Sequence, residues 1–129
     1  MTGRRLAAAS VLALIAGAGP AVAAGKPAQH GFSGVAAYYD KNYRGRTAAG
    51  ETYDPRKFTA AHRTLPFGTR LKVTDRRTGR TVEVTVNDRG PFTRGRVLDL
   101  SLAAARQLHM LDRGLIRVTA EIEPATSSR

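Results

Sequence analysis

The residue whose setting best suits proton-transfer chemistry is Asp88, which stands directly after a predicted strand and before a Gly90-Pro91 turn. Loops at strand ends commonly carry functional side chains, because the strand holds them in place. A carboxyl group held there could act as a general acid or base. Two plainer interpretations remain open at this point: Asp88 could bond its own backbone in an Asx-turn, or it could pair with the neighbouring Arg89.

Three other ionisable side chains are candidates for the same site, in a chain that has only 10 Asp and Glu residues. Glu51 lies in a predicted loop, whereas Glu83 and Glu121 stand on the polar faces of predicted strands; a solvated loop charge is the alternative for Glu51. His62 stands among small and apolar residues, a setting that is also typical of a buried structural histidine. Asp99 precedes a predicted helix, where it could simply interact favourably with the helix dipole.

Aromatic and basic side chains cluster around these candidates. All four tyrosines lie between Tyr38 and Tyr53, and aromatic faces with nearby hydroxyls are surfaces on which sugar rings stack. Packing of the first strand is the alternative for Tyr38 and Tyr39. The same loops contain five arginines that could either hold an acidic polymer or form a solvated basic surface: Arg44, Arg46, Arg89, Arg94 and Arg96.

The elements that must position these residues are predominantly β-strands. Four segments have the apolar and alternating patterns of strands: residues 34–39, 69–74, 81–86 and 116–122. A turn at 75–79 joins the middle two into a hairpin, and residues 40–56 form a long loop. Ser101 is a good N-cap for one helix, which we expect to end at Gly114. Five or six short strands with one helix in about 90 residues predict a mainly β, small closed barrel.

Composition limits the classes of protein that remain. The chain has 129 residues, enough for one small domain, and its 42% hydrophobic and 24% charged residues are typical of a globular protein. It contains no cysteine, which excludes a disulfide scaffold, a thiol nucleophile, a cysteine-based zinc site and a lipid anchor on cysteine. The net charge of +11 predicts that a partner attracted over long range is acidic.

An N-terminal leader is predicted at residues 1–23. Arg4 and Arg5 precede an apolar stretch, and Ala21-Val22-Ala23 fits the small-x-small rule for signal peptidase cleavage. A membrane anchor is the alternative, but the apolar stretch is shorter than the ~20 residues that a spanning helix needs. We assign three further segments: a flexible linker at 24–33, the barrel domain at 34–122 and a C-terminal tail at 123–129.

Export changes the interpretation of the positive charge. Removal of Arg4 and Arg5 with the leader would lower the net charge from +11 to +9. Nucleic acid is the usual partner of such a basic protein, but an exported protein rarely meets it. Cell-wall polymers carry carboxylates and often phosphates, which supply the same attraction.

Several sequence strings together resemble the rare lipoprotein A family, whose core is a double-psi β-barrel. The similarity extends from about Gly34 to Ile122, and the Asn-Asp-Arg-Gly-Pro-Phe sequence around Asp88 is its most specific part. The strings that carry the resemblance are Arg46–Asp54, Leu65–Thr69, Val86–Phe92, Gly95–Ser101 and Ala103–Ala105. The resemblance therefore implies a six-stranded double-psi β-barrel with one short helix. Tyr38 stands where the family usually has Trp.

Characterised members of this family are lytic transglycosylases of bacterial peptidoglycan. The resemblance implies cleavage of the β-1,4 bond between N-acetylmuramic acid and N-acetylglucosamine. It implies that Asp88, His62 and Glu51 are the catalytic residues, and Asp99 is similar to a carboxylate of the related expansin barrels. The residues that we expect to bind substrate are Tyr38, Tyr53, Arg89 and Asp99.

The implied reaction is consistent with so few acidic residues. Ordinary glycosidases need two carboxyl groups, but here the C6 hydroxyl of the muramic acid attacks C1 and closes a 1,6-anhydro ring. Asp88 would donate a proton to the leaving oxygen and accept one from that hydroxyl, while His62 orients Asp88 or stabilises charge on the sugar. We expect the Arg89 guanidinium to point away from Asp88. No cofactor and no metal are expected, because no ligand spacing supports a metal site.

Partners and location follow from the same resemblance. The expected partner is the glycan strand of peptidoglycan and not nucleic acid, and the protein is expected to be secreted, periplasmic or cell-wall associated. Without the lipid-bearing cysteine for which the family is named, we expect no stable membrane anchor, and we expect a monomer. The alternative function is a non-catalytic, expansin-like module that binds or loosens cell-wall glycan.

Overall fold

The computed structural model describes residues 31–124, in which six strands close into a barrel beside one short helix. The barrel order is β1-β5-β2-β4-β3-β6, with β1–β5 and β2–β4 paired in parallel and the other neighbours antiparallel. The prediction of a mainly β, closed six-stranded barrel is confirmed. The elements are β1 Gly31–Tyr38, β2 Thr59–Ala61, β3 Arg70–Asp75, β4 Thr81–Asp88, β5 Arg96–Leu100, α1 Leu102–Gln107 and β6 Ile116–Ile122. The predicted leader at 1–23 lies outside the described residues.

The hairpin of β3 and β4 forms as its sequence pattern predicts. Leu71 pairs with Val84 and Val73 with Val82, so the apolar residues of both strands share one buried face. In the turn between the strands, the Asp75 carboxylate accepts a hydrogen bond from the Arg77 N–H at 2.9 Å. This local bond and the alternating apolar residues are both encoded within a few positions of the turn.

The barrel interior is filled by aliphatic side chains from all six strands. Small residues on β1 and β2 leave room for larger ones on the facing strands, which is how a narrow barrel reaches close packing. The helix contributes Ala104 and Ala105 to the same core, and Leu108 follows directly after it. The inward-facing strand residues are Ala36, Ala60, Leu71, Val73, Val82, Val84, Val86, Leu98, Leu100, Ile116, Val118 and Ala120.

The prediction that α1 runs to Gly114 is wrong. Ser101 caps the helix as expected, because its hydroxyl accepts a hydrogen bond from the Ala104 N–H at 3.3 Å. The helix ends at Gln107, and His109 then takes a positive φ of 55° that a helix cannot continue through. No helix within residues 31–124 has the length and hydrophobicity that a transmembrane span requires.

The prediction of a flexible linker at 24–33 does not hold for its last three residues, and the remainder lies outside the described residues. Residues 31–33 already belong to β1, where Gly31 pairs with Glu121 and Ser33 with Thr119 of β6. A Cβ built on Gly31 would lie 2.9 Å from the Ala120 carbonyl oxygen, so glycine permits this close approach of the two strands. Barrel closure by β6 therefore overrides the local composition.

Candidate active site

A β-bulge in β4 decides which way Asp88 faces. Along β4 the valines at 82, 84 and 86 point into the core, and strict alternation would point Asp88 inward as well. The pairing with β2 shifts between Ala60 and Ala61: Ala60 pairs with Val86, but Ala61 pairs with Asp88. Asn87 is therefore the extra residue of a bulge, and Asp88 stands half-buried on the outer face.

The Asp88 carboxylate accepts three hydrogen bonds on this outer face. Oδ2 accepts from the Tyr39 hydroxyl at 2.5 Å, and Oδ1 accepts from the Ala48 N–H at 2.7 Å and from the Arg89 N–H at 2.9 Å. The bond from Arg89 is local, but it comes from the next residue and not from the N–H two residues on that an Asx-turn uses. The other two donors come from the end of β1 and from the 40–56 loop, so Asp88 is the point where these segments meet β4.

The Arg89 guanidinium points away from Asp88, as expected. Its Nη1 donates to the carbonyl oxygens of His62 at 3.2 Å and Leu65 at 2.8 Å, and the guanidinium lies 4.0 Å above the ring of Phe67. The charge is therefore used to hold the 62–67 segment, and the alternative of an Asp88–Arg89 ion pair is wrong. These contacts do not support our prediction that Arg89 binds substrate.

A second arginine bonds the same two loops to each other, but its side chain extends from the other loop. Arg63, from the segment after β2, donates from Nε to the Pro91 carbonyl at 2.8 Å and from Nη2 to the Arg96 carbonyl at 2.8 Å. Arg89, from the segment after β4, holds the carbonyls of 62 and 65. We call this pair the arginine clamp. Backbone carbonyls at a chain reversal need donors, and the clamp supplies them from the neighbouring loop.

Tyr39 is a site residue that the sequence did not single out from its neighbour. Its ring stacks on Tyr53, with the centroids 4.4 Å apart and the planes 14° from parallel, and its hydroxyl reaches Asp88. Burial, the hydrogen bond to Asp88 and the negative charge of Asp99 together raise the pKa of Tyr39 well above its ordinary value of 10.0. The hydroxyl therefore keeps its proton at neutral pH.

Tyr38 and Tyr53, which we predicted to bind substrate, are placed elsewhere. Successive residues of a strand face opposite sides, and the Tyr38 hydroxyl donates to the Leu111 carbonyl at 2.6 Å, beside an open cavity of about 780 Å³ that also involves Arg106. Tyr53 is only 5% exposed, and its hydroxyl accepts from the Leu102 N–H at 3.1 Å. Burial raises the pKa of Tyr53. Tyr53 stacks against Tyr39 and, because it is buried, cannot present its ring to a sugar.

Glu51 lies next to the site but does not contact the Asp88 carboxylate. Its Oε1 accepts a hydrogen bond from the Asn87 side-chain amide at 3.0 Å. Asn87 is buried, and its backbone carbonyl oxygen accepts a hydrogen bond from the Ala49 N–H at 3.1 Å. Glu51 thus holds the bulge residue that turns Asp88 outward. Asn87 is a second site residue that the sequence did not single out.

His62 is attached to the site through its backbone. Its N–H donates to the Asp88 carbonyl at 3.1 Å, and its ring packs against Phe32 with centroids 4.9 Å apart. Nδ1 accepts from the N–H groups of Thr64 and Leu65, both at 3.1 Å. Burial and the charges of Arg63 and Arg89 lower the pKa of His62, so the ring is neutral with its proton on Nε2, the nitrogen that can donate.

Asp99 shares the outer face with Asp88. Ala61 pairs with Asp88 on one side and with Asp99 on the other, so the two carboxylates stand on strands separated only by β2. Asp99 forms an ion pair with Arg96 at 2.9 Å. Within residues 31–124, no three His, Asp or Glu side chains come together as a metal site.

Comparison with known proteins identifies relatives across the whole barrel. A family model described as lytic transglycolase matches residues 32–120. The "Probable endolytic peptidoglycan transglycosylase RlpA" of Nostoc sp. (strain PCC 7120) is 54% identical over 94 residues, which are 70% of this chain and 25% of that protein. The "Endolytic peptidoglycan transglycosylase RlpA" of Pasteurella multocida is 46% identical over 90 residues, 69% of this chain and 31% of that protein.

These curated relatives are much longer than the matched region. The chain spans about a quarter of the Nostoc protein and about a third of the Pasteurella protein. Among solved structures, a Streptomyces papain inhibitor is similar with a TM-score of 0.60 and 28% identity, covering 74% of this chain and 96% of that one. An expansin of Clavibacter michiganensis has a TM-score of 0.60 at 24% identity, covering 77% of this chain and 53% of that one, and shares the fold alone.

Proposed function

Because the chain belongs to the lytic transglycolase family, we propose that it is an endolytic lytic transglycosylase that cleaves peptidoglycan glycan strands with Asp88 as its proton donor and acceptor. The observation that carries this proposal is the bulge at Asn87, which turns Asp88 out of the core. The carboxylate then meets Tyr39 and Ala48 rather than a guanidinium.

The hydrogen bonds to Asp88 favour one oxygen for the proton. Oδ1 accepts from two backbone N–H groups, so it serves as the acceptor oxygen. The proton of the acid form therefore resides on Oδ2, where the Tyr39 hydroxyl can turn from donor to acceptor. In the reaction, Oδ2 gives this proton to the glycosidic oxygen as the C1–O bond breaks. The C6 hydroxyl of the muramic acid then bonds to C1 and returns its proton to Asp88, closing the 1,6-anhydro ring.

This reaction needs only one carboxyl group of the protein, and Asp88 supplies it. An ordinary retaining or inverting glycosidase needs a second carboxyl group to act as nucleophile or base. Here Asp99 is paired with Arg96 and Glu51 is bonded to Asn87. The attacking group is supplied by the substrate, so the two other acids can be used to position the backbone.

We assign supporting roles to the remaining candidates. The Nε2–H of neutral His62 can donate a hydrogen bond to the sugar but cannot take up the proton that Asp88 releases, because Nδ1 already accepts two bonds. Glu51 positions the bulge through Asn87, and Asp99 with Arg96 borders the site. Tyr53 positions Tyr39 by stacking.

The finer statements about location and assembly are also proposals. We propose export through a leader at 1–23 that is cleaved after Ala23, action outside the cytoplasmic membrane without a stable anchor, and a monomeric state. The positive charge of the chain supports attraction to acidic wall polymers. Glycan strands are the proposed partner.

The direct test is digestion of purified, peptide-stripped glycan strands followed by mass spectrometry. We expect products that end in 1,6-anhydro-N-acetylmuramic acid, because no water enters the proposed step. Reducing ends without the anhydro ring would indicate hydrolysis and contradict the proposal. Sedimentation with cell walls without any cleavage at high protein concentration would instead support the non-catalytic, expansin-like alternative.

Replacing Tyr39 by Phe is expected to lower kcat by about 10- to 100-fold, since a hydrogen bond to a charged group is worth about 1.5–3 kcal/mol. The phenyl ring keeps the stacking on Tyr53, so KM should change little. Steady-state kinetics on glycan strands measure the effect. Tyr43→Phe is the matched control, because the Tyr43 hydroxyl makes only a 3.3 Å contact with the Arg46 carbonyl. Equal kcat values for the two variants would show that the Tyr39 hydroxyl does not contribute to catalysis.

A further inference from the structure

The most exposed large apolar side chain noted within residues 31–124 is Phe92, at 77%. It belongs to the segment that follows Asp88, and the proposed mechanism does not use it. Single exposed apolar residues are common on protein surfaces and need no special explanation. Two further observations distinguish Phe92: the direction in which its ring points and the rigidity of the segment that carries it.

The ring of Phe92 packs back on the backbone of Gly90, in the segment that joins it to Asp88. A Cβ built on Gly90 would lie 3.6 Å from Cε2 and 3.7 Å from Cδ2 of the Phe92 ring, so the ring lies over the Gly90 backbone. Gly90 has a φ of +115°, a conformation that favours glycine, and this reverses the chain. Gly90 is two residues from Asp88, and two residues span at most about 7 Å. The ring therefore packs on backbone that is at most about 7 Å along the chain from the backbone of the proton donor.

Arg63 of the arginine clamp restrains the backbone on both sides of Phe92. Arg63 bonds the carbonyl oxygen of Pro91 at 2.8 Å, immediately before Phe92, and that of Arg96 at 2.8 Å beyond it. A contact to the Thr93 carbonyl at 3.4 Å lies between these two. A ring on so constrained a backbone loses little conformational freedom when a ligand binds, which is the general advantage of a preorganised binding surface.

We infer that Phe92 is a stacking surface for a sugar ring of the glycan strand, adjacent to the bond that Asp88 cleaves. This inference rests on the proposed function, because it takes the glycan strand as substrate. Pyranose rings have an apolar C–H face and a polar rim of hydroxyls, and a single flat aromatic ring beside a polar site matches the first of these. The apolar area that one phenyl ring exposes is too small for a stable protein interface. The occupant is therefore a sugar.

The test separates binding from cleavage by using the Asp88→Asn background for binding. Sedimentation with peptide-stripped glycan strands measures affinity without turnover, and kinetics on the otherwise unchanged chain measure KM and kcat. We expect Phe92→Ala to weaken sedimentation and raise KM by about tenfold, a change of 1.4 kcal/mol in affinity, while kcat stays within about threefold. Phe92→Trp should restore both, since it retains an aromatic face.

Phe58→Ala is the matched control, because Phe58 is also an exposed phenylalanine, at 43%, and precedes β2 outside the Asp88 loop. It should leave sedimentation and KM unchanged. Unchanged values for Phe92→Ala would overturn the inference, as would no sedimentation of the Asp88→Asn chain at all. A loss confined to peptide-bearing strands would mean that Phe92 contacts the stem peptide, and this also overturns it. A different outcome would separate the two proposals: Phe92→Ala loses sedimentation, and the unchanged chain forms no anhydro ends. This would support Phe92 as a sugar-stacking surface and contradict only the proposed transglycosylase activity.

Discussion

Asp88→Asn is expected to lower the rate of 1,6-anhydro end formation by at least about 10³-fold while leaving the fold intact, because the variant removes the group that transfers the proton. The amide is nearly the same shape as the carboxylate. Its oxygen can still accept from the N–H groups of Ala48 and Arg89, and its NH₂ can donate to the Tyr39 hydroxyl. All three contacts of the site are thereby retained, so lost activity cannot be attributed to a displaced loop.

The measurement is single-turnover digestion of glycan strands, accompanied by thermal denaturation of each variant. Asp112→Asn is the control for charge. Asp112 is exposed on the turn after α1, and its substitution changes the net charge by the same amount as Asp88→Asn at a position outside the site. It should retain the rate of the unchanged chain. If Asp88→Asn retained more than about a tenth of that rate, Asp88 would not be the proton donor.

Asp75→Asn is expected to have the largest effect on stability, about 3 kcal/mol at neutral pH, which is the cost of breaking a buried ion pair. Asp75 is fully buried at the end of β3, and its Oδ2 accepts from Arg113 at 2.6 Å while Oδ1 accepts from the Arg77 N–H. An amide cannot offer two acceptor oxygens, so one of the two donors loses its partner. Chemical denaturation at pH 7 measures the free energy of unfolding.

The pH dependence of this difference has a definite sign. Burial alone would raise the pKa of Asp75, but the hydrogen bonds from Arg113 and the Arg77 backbone outweigh it and hold the pKa below its ordinary value of 3.8. A lowered pKa in the folded state stabilises the protein above the unfolded-state value, and this stabilisation is lost as the pH falls. The stability difference between the unchanged chain and Asp75→Asn should therefore narrow below pH 3.8.

Glu83→Gln is the control for this prediction, because the Arg70–Glu83 pair at 2.8 Å is about half exposed on both sides. Exposed pairs contribute about 0–1 kcal/mol, so this variant should lie close to the unchanged chain. A loss for Asp75→Asn as small as that for Glu83→Gln would show that the Asp75–Arg113 pair adds little to stability.

The parts of the fold that the sequence predicted are those encoded over short distances along the chain. The hairpin of β3 and β4 follows from alternating valines around an Asp-containing turn, β6 follows from alternation at 116–122, and Ser101 caps α1. Alternation and capping depend on residues within about four positions of each other, so they can be predicted from the sequence without knowing the fold. The short strand β2 carries no such pattern, because three residues are too few to show one.

The candidate site was predicted in part. The Asp88 motif and its neighbours Glu51, His62 and Asp99 could be selected from the sequence by resemblance and by residue type. Tyr38 and Tyr39 could not be told apart, since adjacent residues of a strand differ only in the face they take. The roles of Arg63 and Arg89 were equally hidden, because a charged side chain can bond carbonyls anywhere within its reach.

The sequence alone therefore determined the strand patterns, the class of fold and Asp88 as the candidate for proton transfer. Tertiary structure decided that Asp88 faces outward, that Tyr39 rather than Tyr38 meets it, and that Tyr53 is buried. The physical reason is distance along the chain. The Asp88 carboxylate is bonded by groups 40 and 49 residues away, and its direction is set by a one-residue shift against β2, which only barrel closure specifies.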